Sequence, residues 1–125
     1  MGIRDTMDVY GADYNTPDGT CIRDYIHVND LAIAHVLALN YIMEKQENLT
    51  LNLATGKGYS VLEVIKNIQE IIGKNINYKI IDRRPGDHAE LIAVSNLANE
   101  QLNWECKYSD INAILQSMWN VYYNQ

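Results

Sequence analysis

The sequence predicts an α/β fold in which short strands alternate with about four helices. Three observations predict it. Apolar and polar residues alternate in two short segments, at 49–53 and 76–81, a helical periodicity recurs between and after them, and loops containing glycine or proline separate them. The chain has 125 residues, about the length of one small domain, and no internal repeat or linker divides it.

The first predicted strand lies within residues 18–28, DGTCIRDYIHV, and it carries an unusual polar group. Its apolar residues suit a strand, but Arg23, Asp24 and His27 interrupt them, and such side chains are seldom buried. We therefore expect this stretch to be an edge strand or part of a site.

A strongly apolar helix is predicted next, over residues 31–43, LAIAHVLALNYIM. Asn29 or Asp30 is available to cap its first turn. A helix this apolar is expected to be buried nearly all round, and a chain of this size offers few neighbours to cover it. We therefore expect the chain to be part of something larger.

The second half of the chain carries three predicted helices. After the predicted strand at 49–53, Ser60 and Glu63 form a capping box for a helix that Gly73 ends. The strand at 76–81 leads into the charged loop DRRPGDH at 82–88, and a short helix near 96–102 follows. Ser109 is expected to cap a last helix, whose apolar face comprises Ile111, Ile114, Leu115, Met118, Trp119 and Tyr122.

Composition and charge exclude several classes of function. A net charge of -6 at pH 7 gives no broad positive field, so we expect neither nucleic acid nor an anionic membrane as a partner. Cys21 and Cys106 are far apart, and with the three histidines they form no metal-ligand spacing. We expect reduced thiols, a cytoplasmic protein and no metal site.

Two motifs of known chemistry occur in weak form. Tyr41 and Lys45 have the Tyr-x-x-x-Lys spacing in which a lysine lowers the pKa of a catalytic tyrosine, but among nine tyrosines a chance pair is favoured. The tripeptide at 56–58, GKG, completes no phosphate-loop motif and is better explained as a turn.

A third group of residues could bind an anion. Arg23 and the loop 83–87, RRPGD, hold three of the ten basic residues of an acidic chain, and guanidinium groups match phosphate oxygens. Asp87 could then accept hydrogen bonds from sugar hydroxyls. Equally, Arg23 could pair with a neighbouring acid while the loop is solvated surface. The spacing alone leaves both interpretations open.

Four segments together resemble the C-terminal part of the UDP-glucose 4-epimerase family of extended short-chain dehydrogenases/reductases. They are YGADYNTPDGTCIRDYIHVNDLAIAH at 10–35, LNLATGKGYSVLEVI at 51–65, RRPGDHAELIA at 83–93 and LNW at 102–104. Related dehydratases and decarboxylases usually lack the run TPDGT at 16–20. The resemblance implies that residues 1–125 are the C-terminal, UDP-sugar-binding portion of a Rossmann-like fold. Residues 29–55 would then pack on an N-terminal Rossmann domain.

The resemblance also implies a reaction, the interconversion of UDP-glucose and UDP-galactose. In the family, a tightly held NAD takes hydride from C4 of the hexose while a tyrosine removes the hydroxyl proton. The glycine-rich NAD loop and the catalytic serine, tyrosine and lysine lie in the family's N-terminal region, outside this sequence. We therefore expect no catalytic residue and no NAD on this chain alone. Its partner would be the N-terminal half, in a homodimer when complete.

The residues that grip UDP are implied in the same way. Arg23 and Arg84 would hold the diphosphate, and Asp87 would bind the ribose hydroxyls. The segment 8–10 would meet the uracil, largely through backbone apart from the tyrosine ring, and Val61 would line that pocket. The full implied set is Asp8, Val9, Tyr10, Arg23, Val61, Arg84, Pro85, Gly86, Asp87 and Leu91.

Leu91 departs from family members that have a tyrosine near the hexose, so the breadth of substrates, including N-acetylated UDP-hexoses, stays open. Two further interpretations also stay open. One is a noncatalytic nucleotide-sugar-binding or interaction module, and the other is a related nucleotide-sugar enzyme such as a decarboxylase.

Overall fold

The computed structural model describes residues 5–123 and confirms the alternation of short strands with four helices. The elements, in chain order, are β1 (Met7–Tyr10), β2 (Ile22–Asp24), α1 (Val28–Lys45), β3 (Gly58–Ser60), α2 (Val61–Ile72), β4 (Tyr78–Ile81), β5 (Glu90–Leu91), α3 (Asn96–Leu102) and α4 (Ile111–Tyr123).

The strands form two small sheets, both built from segments that are distant in the chain. β1 pairs with β4 in parallel, with Tyr10 opposite Ile81. β2 lies at the centre of a three-stranded sheet, antiparallel to β3 and parallel to β5. Within this sheet Arg23 lies opposite Tyr59 on one side and Leu91 on the other. The first sheet therefore places Tyr10 at the end of β1, and the second places Arg23 on its central strand with Leu91 on an edge strand, so β2 is not itself an edge strand.

The predicted strand at 49–53 is wrong, because residues 46–57 form neither helix nor strand. Its alternating leucines, Leu49, Leu51 and Leu53, pack against the core cluster of Ala34, Ala98, Leu102 and Trp104. A strand also needs a neighbour for its backbone hydrogen bonds, and within residues 5–123 this segment pairs with none. The alternation of apolar and polar residues therefore reflects burial of one side of this segment, and no neighbouring strand within residues 5–123 pairs with it.

Helix α1 begins earlier than predicted and has a different cap. His27 is the N-cap, and its Nδ1 accepts a hydrogen bond from the backbone N–H of Asn29 at 3.0 Å. The assignment of the cap to Asn29 or Asp30 is therefore wrong. Because Nδ1 accepts, the ring proton is on Nε2, which lies 3.0 Å from the hydroxyl of Ser117 on α4. His27 thus joins the start of α1 to α4, which explains a polar residue at the end of an apolar run.

The expectation that α1 is buried nearly all round is also wrong for this chain. Only Asp30 and Ala34 are buried along its length. Leu37, Ala38 and Tyr41 are half-buried against the core cluster. Six other large apolar side chains form a broad exposed surface, which we call the open face of α1: Val28 (69% exposed), Ile33 (38%), Val36 (59%), Leu39 (57%), Ile42 (44%) and Met43 (67%).

Asp30 is a buried carboxylate, 1% exposed, that fastens α1 to the segment before α4. It accepts hydrogen bonds from the backbone N–H groups of Lys107 (3.0 Å) and Tyr108 (2.9 Å), and from the hydroxyl of Ser109 (2.6 Å). Burial alone raises the pKa of Asp30, but these hydrogen bonds outweigh it, so the pKa lies below its ordinary value.

The N-cap of α4 is accordingly not Ser109. Asp110 caps it instead, by accepting hydrogen bonds from the backbone N–H groups of Asn112 and Ala113 at 3.0 and 3.2 Å. The predicted apolar face of α4 is confirmed at Ile111, Ile114 and Leu115, which are buried, and Trp119 is half-buried. Met118 and Tyr122 are exposed, so the apolar face of α4 is buried mainly in the first half of the helix.

The capping box and C-terminal glycine of α2 are confirmed. Glu63 and Ser60 exchange both hydrogen bonds, and Gly73 ends the helix with a φ of 64°. The Ser60 hydroxyl also donates to Asp18, whose other oxygen accepts from the N–H of Thr20 at 2.8 Å. Burial raises the pKa of Asp18, but these hydrogen bonds outweigh it, and the pKa is lowered. The TPDGT run therefore anchors its turn to the start of α2.

Replacing Gly19 with alanine is expected to lower the free energy of unfolding by about 3 kcal/mol, because φ is +80° there and a Cβ would collide with the carbonyl oxygen of Ala12. Gly56→Ala is a matched control, since Gly56 has a similar φ of +72° but open space around it, and about 1 kcal/mol is expected. Urea unfolding of both variants measures the difference. Equal losses of unfolding free energy in the two variants would show that the backbone moves to avoid the collision at residue 19.

Within residues 5–123, no helix combines the length and apolarity needed to span a membrane. The same residues contain no cluster of three metal-ligating side chains.

Candidate functional site

Four predicted site residues from three separate segments meet at the surface. The Arg84 guanidinium lies over the ring of Tyr10, with its central carbon 4.6 Å from the ring centroid, and its Nε donates to Asp87 Oδ2 at 2.9 Å. The other oxygen of Asp87 lies 3.6 Å from Nη2 of Arg23. We call Tyr10, Arg23, Arg84 and Asp87 the arginine cluster.

A tight turn sets the geometry of Arg84 and Asp87. The backbone N–H of Asp87 donates to the carbonyl of Arg84 at 3.2 Å, and Gly86 has a φ of +85°. Proline at the second position and a positive φ at the third are the pattern of a type II turn. Pro85 and Gly86 therefore shape the turn, and the parallel pairing of β1 with β4 delivers it beside Tyr10.

Arg23 is held in place by the main chain. Its Nη1 donates to the carbonyls of Ile22 (2.8 Å) and His88 (2.9 Å), which leaves Nη2 directed at Asp87. Tyr25, two residues after Arg23, is half-buried. Burial is the main cause that raises the pKa of Tyr25, Cys21 adds to the increase, and the positive charge of Arg23 opposes it.

Leu91 flanks the arginine cluster on the β5 side. It is the register partner of Arg23 and is 61% exposed. On the opposite side, Tyr59 is the register partner of Arg23 in β3, and the Lys57 ammonium lies 4.8 Å from the centre of its ring. Tyr25 and Tyr59 were not among the sequence predictions. Alternation with Arg23 along β2 was the available signal for Tyr25, whereas Tyr59 required the register.

Asp8 and Val9 precede Tyr10 on β1 and have different environments. Val9 is 1% exposed, and Asp8 forms an ion pair with Lys79 at 3.3 Å. The N–H groups of Met7 and Gly11 donate to the β4 side. By alternation Val9 does so too, so the backbone groups of Asp8 and Tyr10 face the open edge of β1. Asp8 and Tyr10 therefore carry the backbone groups of β1 that β4 does not pair, and buried Val9 anchors the strand.

Val61 lies two residues after Tyr59, the register partner of Arg23 in β3. It is the first residue of α2, half-buried, and its N–H donates to the carbonyl of Cys21 at 3.3 Å.

The two neighbouring arginines of the loop serve different purposes. Arg83 donates to the carboxylate of Asp13 at 2.7 Å and stacks over the ring of Tyr14 at 4.0 Å. The hydrogen bond from Arg83 lowers the pKa of Asp13. Arg84 therefore shares Asp87 with Arg23, whereas Arg83 is paired with Asp13.

The weaker motifs have structural explanations. Asp24 accepts hydrogen bonds from the N–H groups of Thr55 (3.1 Å) and Gly56 (3.1 Å), so the loop before β3 is fastened to β2, and Gly58 of the GKG segment begins β3. Tyr41 donates to Gln101 at 3.3 Å, while Lys45 pairs with Glu44 at 3.0 Å. The Tyr-x-x-x-Lys pair therefore forms no shared site.

The arginine cluster is chemically suited to binding an anion. Two guanidinium groups share one carboxylate, which leaves one net positive charge on an acidic chain. Arg84 is more than half exposed and lies next to an aromatic ring. Paired guanidinium groups recognise phosphate oxygens, and an aromatic side chain with an open strand edge can hold a planar base.

Comparison with known proteins finds close relatives. UDP-glucose 4-epimerase of Azospirillum brasilense is 44% identical over 117 residues, which cover 94% of this chain and 34% of the relative. A solved UDP-glucose 4-epimerase from Bifidobacterium longum, in complex with NAD+ and UDP, has 42% identity and a TM-score of 0.90, over 99% of this chain and 36% of that one.

A second solved structure agrees. The UDP-glucose 4-epimerase from Stenotrophomonas maltophila, with bound NAD and formylated UDP-arabinopyranose, is 41% identical with a TM-score of 0.90, covering 95% of this chain and 35% of that one. No protein-family model matches the chain. The chain spans about a third of the length of the curated relatives it matches. It therefore belongs to the UDP-glucose 4-epimerase family and corresponds to the C-terminal part of its members.

Proposed function

We propose that this chain grips the UDP moiety of UDP-glucose and UDP-galactose, and that it completes a UDP-hexose 4-epimerase together with an N-terminal part. The observation that carries the proposal is the arginine cluster. It joins Tyr10, Arg23 and the turn 84–87 in an acidic chain, at positions that the family resemblance assigns to UDP.

The residues of the arginine cluster bind different parts of UDP. Arg84 and Arg23 hold the diphosphate oxygens through charge-assisted hydrogen bonds. Asp87 accepts hydrogen bonds from the ribose hydroxyls, and the ring of Tyr10 lies against the uracil. The open backbone of Asp8 supplies hydrogen bonds to the base edge.

The remaining predicted residues shape the surroundings. Pro85 and Gly86 keep the turn, Val9 anchors β1 and Val61 closes the far side of the base pocket. Leu91 lies beside Arg23 in the sheet, where the hexose would follow the diphosphate. A leucine there leaves more space than a tyrosine, so we propose that the larger N-acetylated hexoses are also admitted.

NAD would belong to the N-terminal part. Residues 5–123 contain no glycine-rich loop between a strand and a helix that could cradle a dinucleotide, so they do not fit this cofactor. The role of this chain is to bind the substrate firmly at its UDP end. A firm grip at one end lets the hexose turn over between two half-reactions without dissociating.

The open face of α1 supports a protein partner. Six large apolar residues are exposed along one helix, and the adjoining segment 49–53 has a strand-like pattern without a ladder. An apolar surface of this kind marks an interaction site. We propose that residues 29–55 pack on an N-terminal Rossmann domain. For the complete enzyme we propose a homodimer in the cytoplasm, where the free thiols of Cys21 and Cys106 stay reduced.

Calorimetric titration of the full chain with UDP is expected to release heat, and Arg84→Ala is expected to weaken binding by about tenfold, because a charged hydrogen-bond donor to phosphate is lost. Arg83→Ala is the matched control. It removes the same charge from the adjacent position, but Arg83 contacts Asp13 and Tyr14 and is not part of the arginine cluster, so less than a threefold change is expected. Absence of heat, or equal affinities for wild type and Arg84→Ala, would refute the UDP grip.

A further inference from the structure

We propose that the Asp87 carboxylate competes with the diphosphate for Arg23 and Arg84. The carboxylate pairs with both arginines until a nucleotide displaces it, and the ribose hydroxyls of that nucleotide then become its hydrogen-bond donors. The inference rests on the proposed function and adds to it a means of selection. A free phosphate that displaces Asp87 offers the carboxylate no replacement for its lost ion pairs, whereas a nucleoside diphosphate offers it the hydroxyl groups of the ribose.

The geometry of the carboxylate is that of a bridging anion. One oxygen of Asp87 takes the Nε–H of Arg84 at 2.9 Å and the other lies 3.6 Å from Nη2 of Arg23. The two oxygens of a phosphate group require the same two guanidinium groups. Asp87 therefore stands where a diphosphate oxygen would have to bind.

The ion pairs of Asp87 with Arg23 and Arg84 can break without disrupting the turn. The contact of Asp87 with Arg23 is long, at 3.6 Å, and Arg84 is 57% exposed, so water reaches the Arg84 side of its ion pair. The turn itself does not depend on the carboxylate, because the main-chain hydrogen bond from Asp87 to Arg84 and the conformation of Gly86 maintain it. Rotation of the Asp87 side chain can thus release both arginines while the backbone stays in place.

Displacement has a different cost for different ligands. Inorganic pyrophosphate pairs with the arginines but leaves the carboxylate close to a like charge and without a donor. A ribose carries two hydroxyl donors beside the diphosphate, so the displaced carboxylate regains hydrogen bonds. The exchange therefore favours a nucleoside diphosphate over free pyrophosphate, although both present the same anionic group.

The test compares pyrophosphate and UDP as ligands of the full chain, in magnesium-free buffer, for wild type and Asp87→Asn. Asparagine keeps the size of the side chain but removes the competing charge. We expect pyrophosphate to bind about three- to tenfold more tightly to Asp87→Asn, while the affinity for UDP is unchanged or lower. The ratio of UDP to pyrophosphate affinity should fall by roughly tenfold. Asp87→Glu, which restores the charge, should restore most of the ratio.

Asp82→Asn is the matched control, since Asp82 is an exposed carboxylate in the same loop and its removal changes the net charge equally. It should alter both affinities by less than twofold. Unchanged or weaker pyrophosphate binding in Asp87→Asn, or an equal gain for both ligands, would overturn the competition. Wild type that binds neither ligand would overturn the UDP grip itself, so the two failures are distinguishable.

A measurement on wild type keeps the proposal testable if Asp87→Asn does not fold. The Nε–H resonance of Arg84, identified by its loss in Arg84→Lys, should shift when pyrophosphate is added, because phosphate replaces Asp87 as its acceptor. A resonance that stays in place while pyrophosphate binds would overturn the exchange.

Discussion

Mixing this chain with the N-terminal part of a related UDP-glucose 4-epimerase is expected to produce conversion of UDP-galactose to UDP-glucose that neither part shows alone. The portion of the Azospirillum brasilense enzyme outside the region of similarity is a suitable partner. The expected cause is complementation, in which one part supplies NAD and the reacting groups and this chain supplies the UDP grip. Formation of UDP-glucose can be followed with a UDP-glucose dehydrogenase.

Substitution of both arginines should abolish most of that activity. Arg23→Ala combined with Arg84→Ala removes two charged donors, each worth about 1.5 to 3 kcal/mol, so kcat/KM should fall on the order of 10³-fold. Because these contacts are made in the ground state as well as in the transition state, KM should carry most of the loss. Arg83→Ala should keep nearly full activity. Conversion by the chain alone, or full activity in the double variant, would contradict the division of tasks.

Asp30→Asn is expected to lower the free energy of unfolding by about 3 kcal/mol at neutral pH, because it replaces a buried carboxylate that accepts three hydrogen bonds. An asparagine would place its amide hydrogens against at least one of those donors. Asp110→Asn is the matched control: it removes the same charge from an exposed N-cap, where asparagine caps equally well, so less than about 0.5 kcal/mol is expected. Urea unfolding measures both.

The same variant has a defined pH dependence. Since the pKa of Asp30 is lowered in the folded state, its contribution is fully present above the unfolded pKa, about 3.9, and is lost as pH falls through the folded value. The difference in stability between wild type and Asp30→Asn should therefore be constant from about pH 7 to pH 5 and shrink below about pH 4. A difference that stays constant or grows towards pH 2 would contradict the assigned hydrogen bonds.

Features specified by neighbouring residues were predictable from the sequence. The capping box of Ser60 and Glu63, the end of α2 at Gly73 and the turn around Gly86 each depend on residues a few positions apart. Local backbone preferences decide such features, so no tertiary information is needed.

Features decided by distant partners were not predictable in the same way. The sequence does not indicate His27 as an N-cap, because its ring is oriented by Ser117 on the distant helix α4. The sequence offers Asp30 as a possible cap, but its carboxylate accepts hydrogen bonds from residues 107–109 instead. The separation of Arg83 from Arg84 likewise depends on Asp13, which lies 70 positions away in the chain. Composition could not reveal these choices, because each follows from which segments the fold brings together.

The three-stranded sheet also has a consequence for the order of folding. Arg23 donates to the carbonyl of His88 across a separation of 65 residues, so the arginine cluster exists only after this long loop has closed. Contacts of such high contact order form late, after the local helices. A fluorescent UDP analogue should therefore report the last step of refolding, appearing after the far-ultraviolet signal of the helices has recovered.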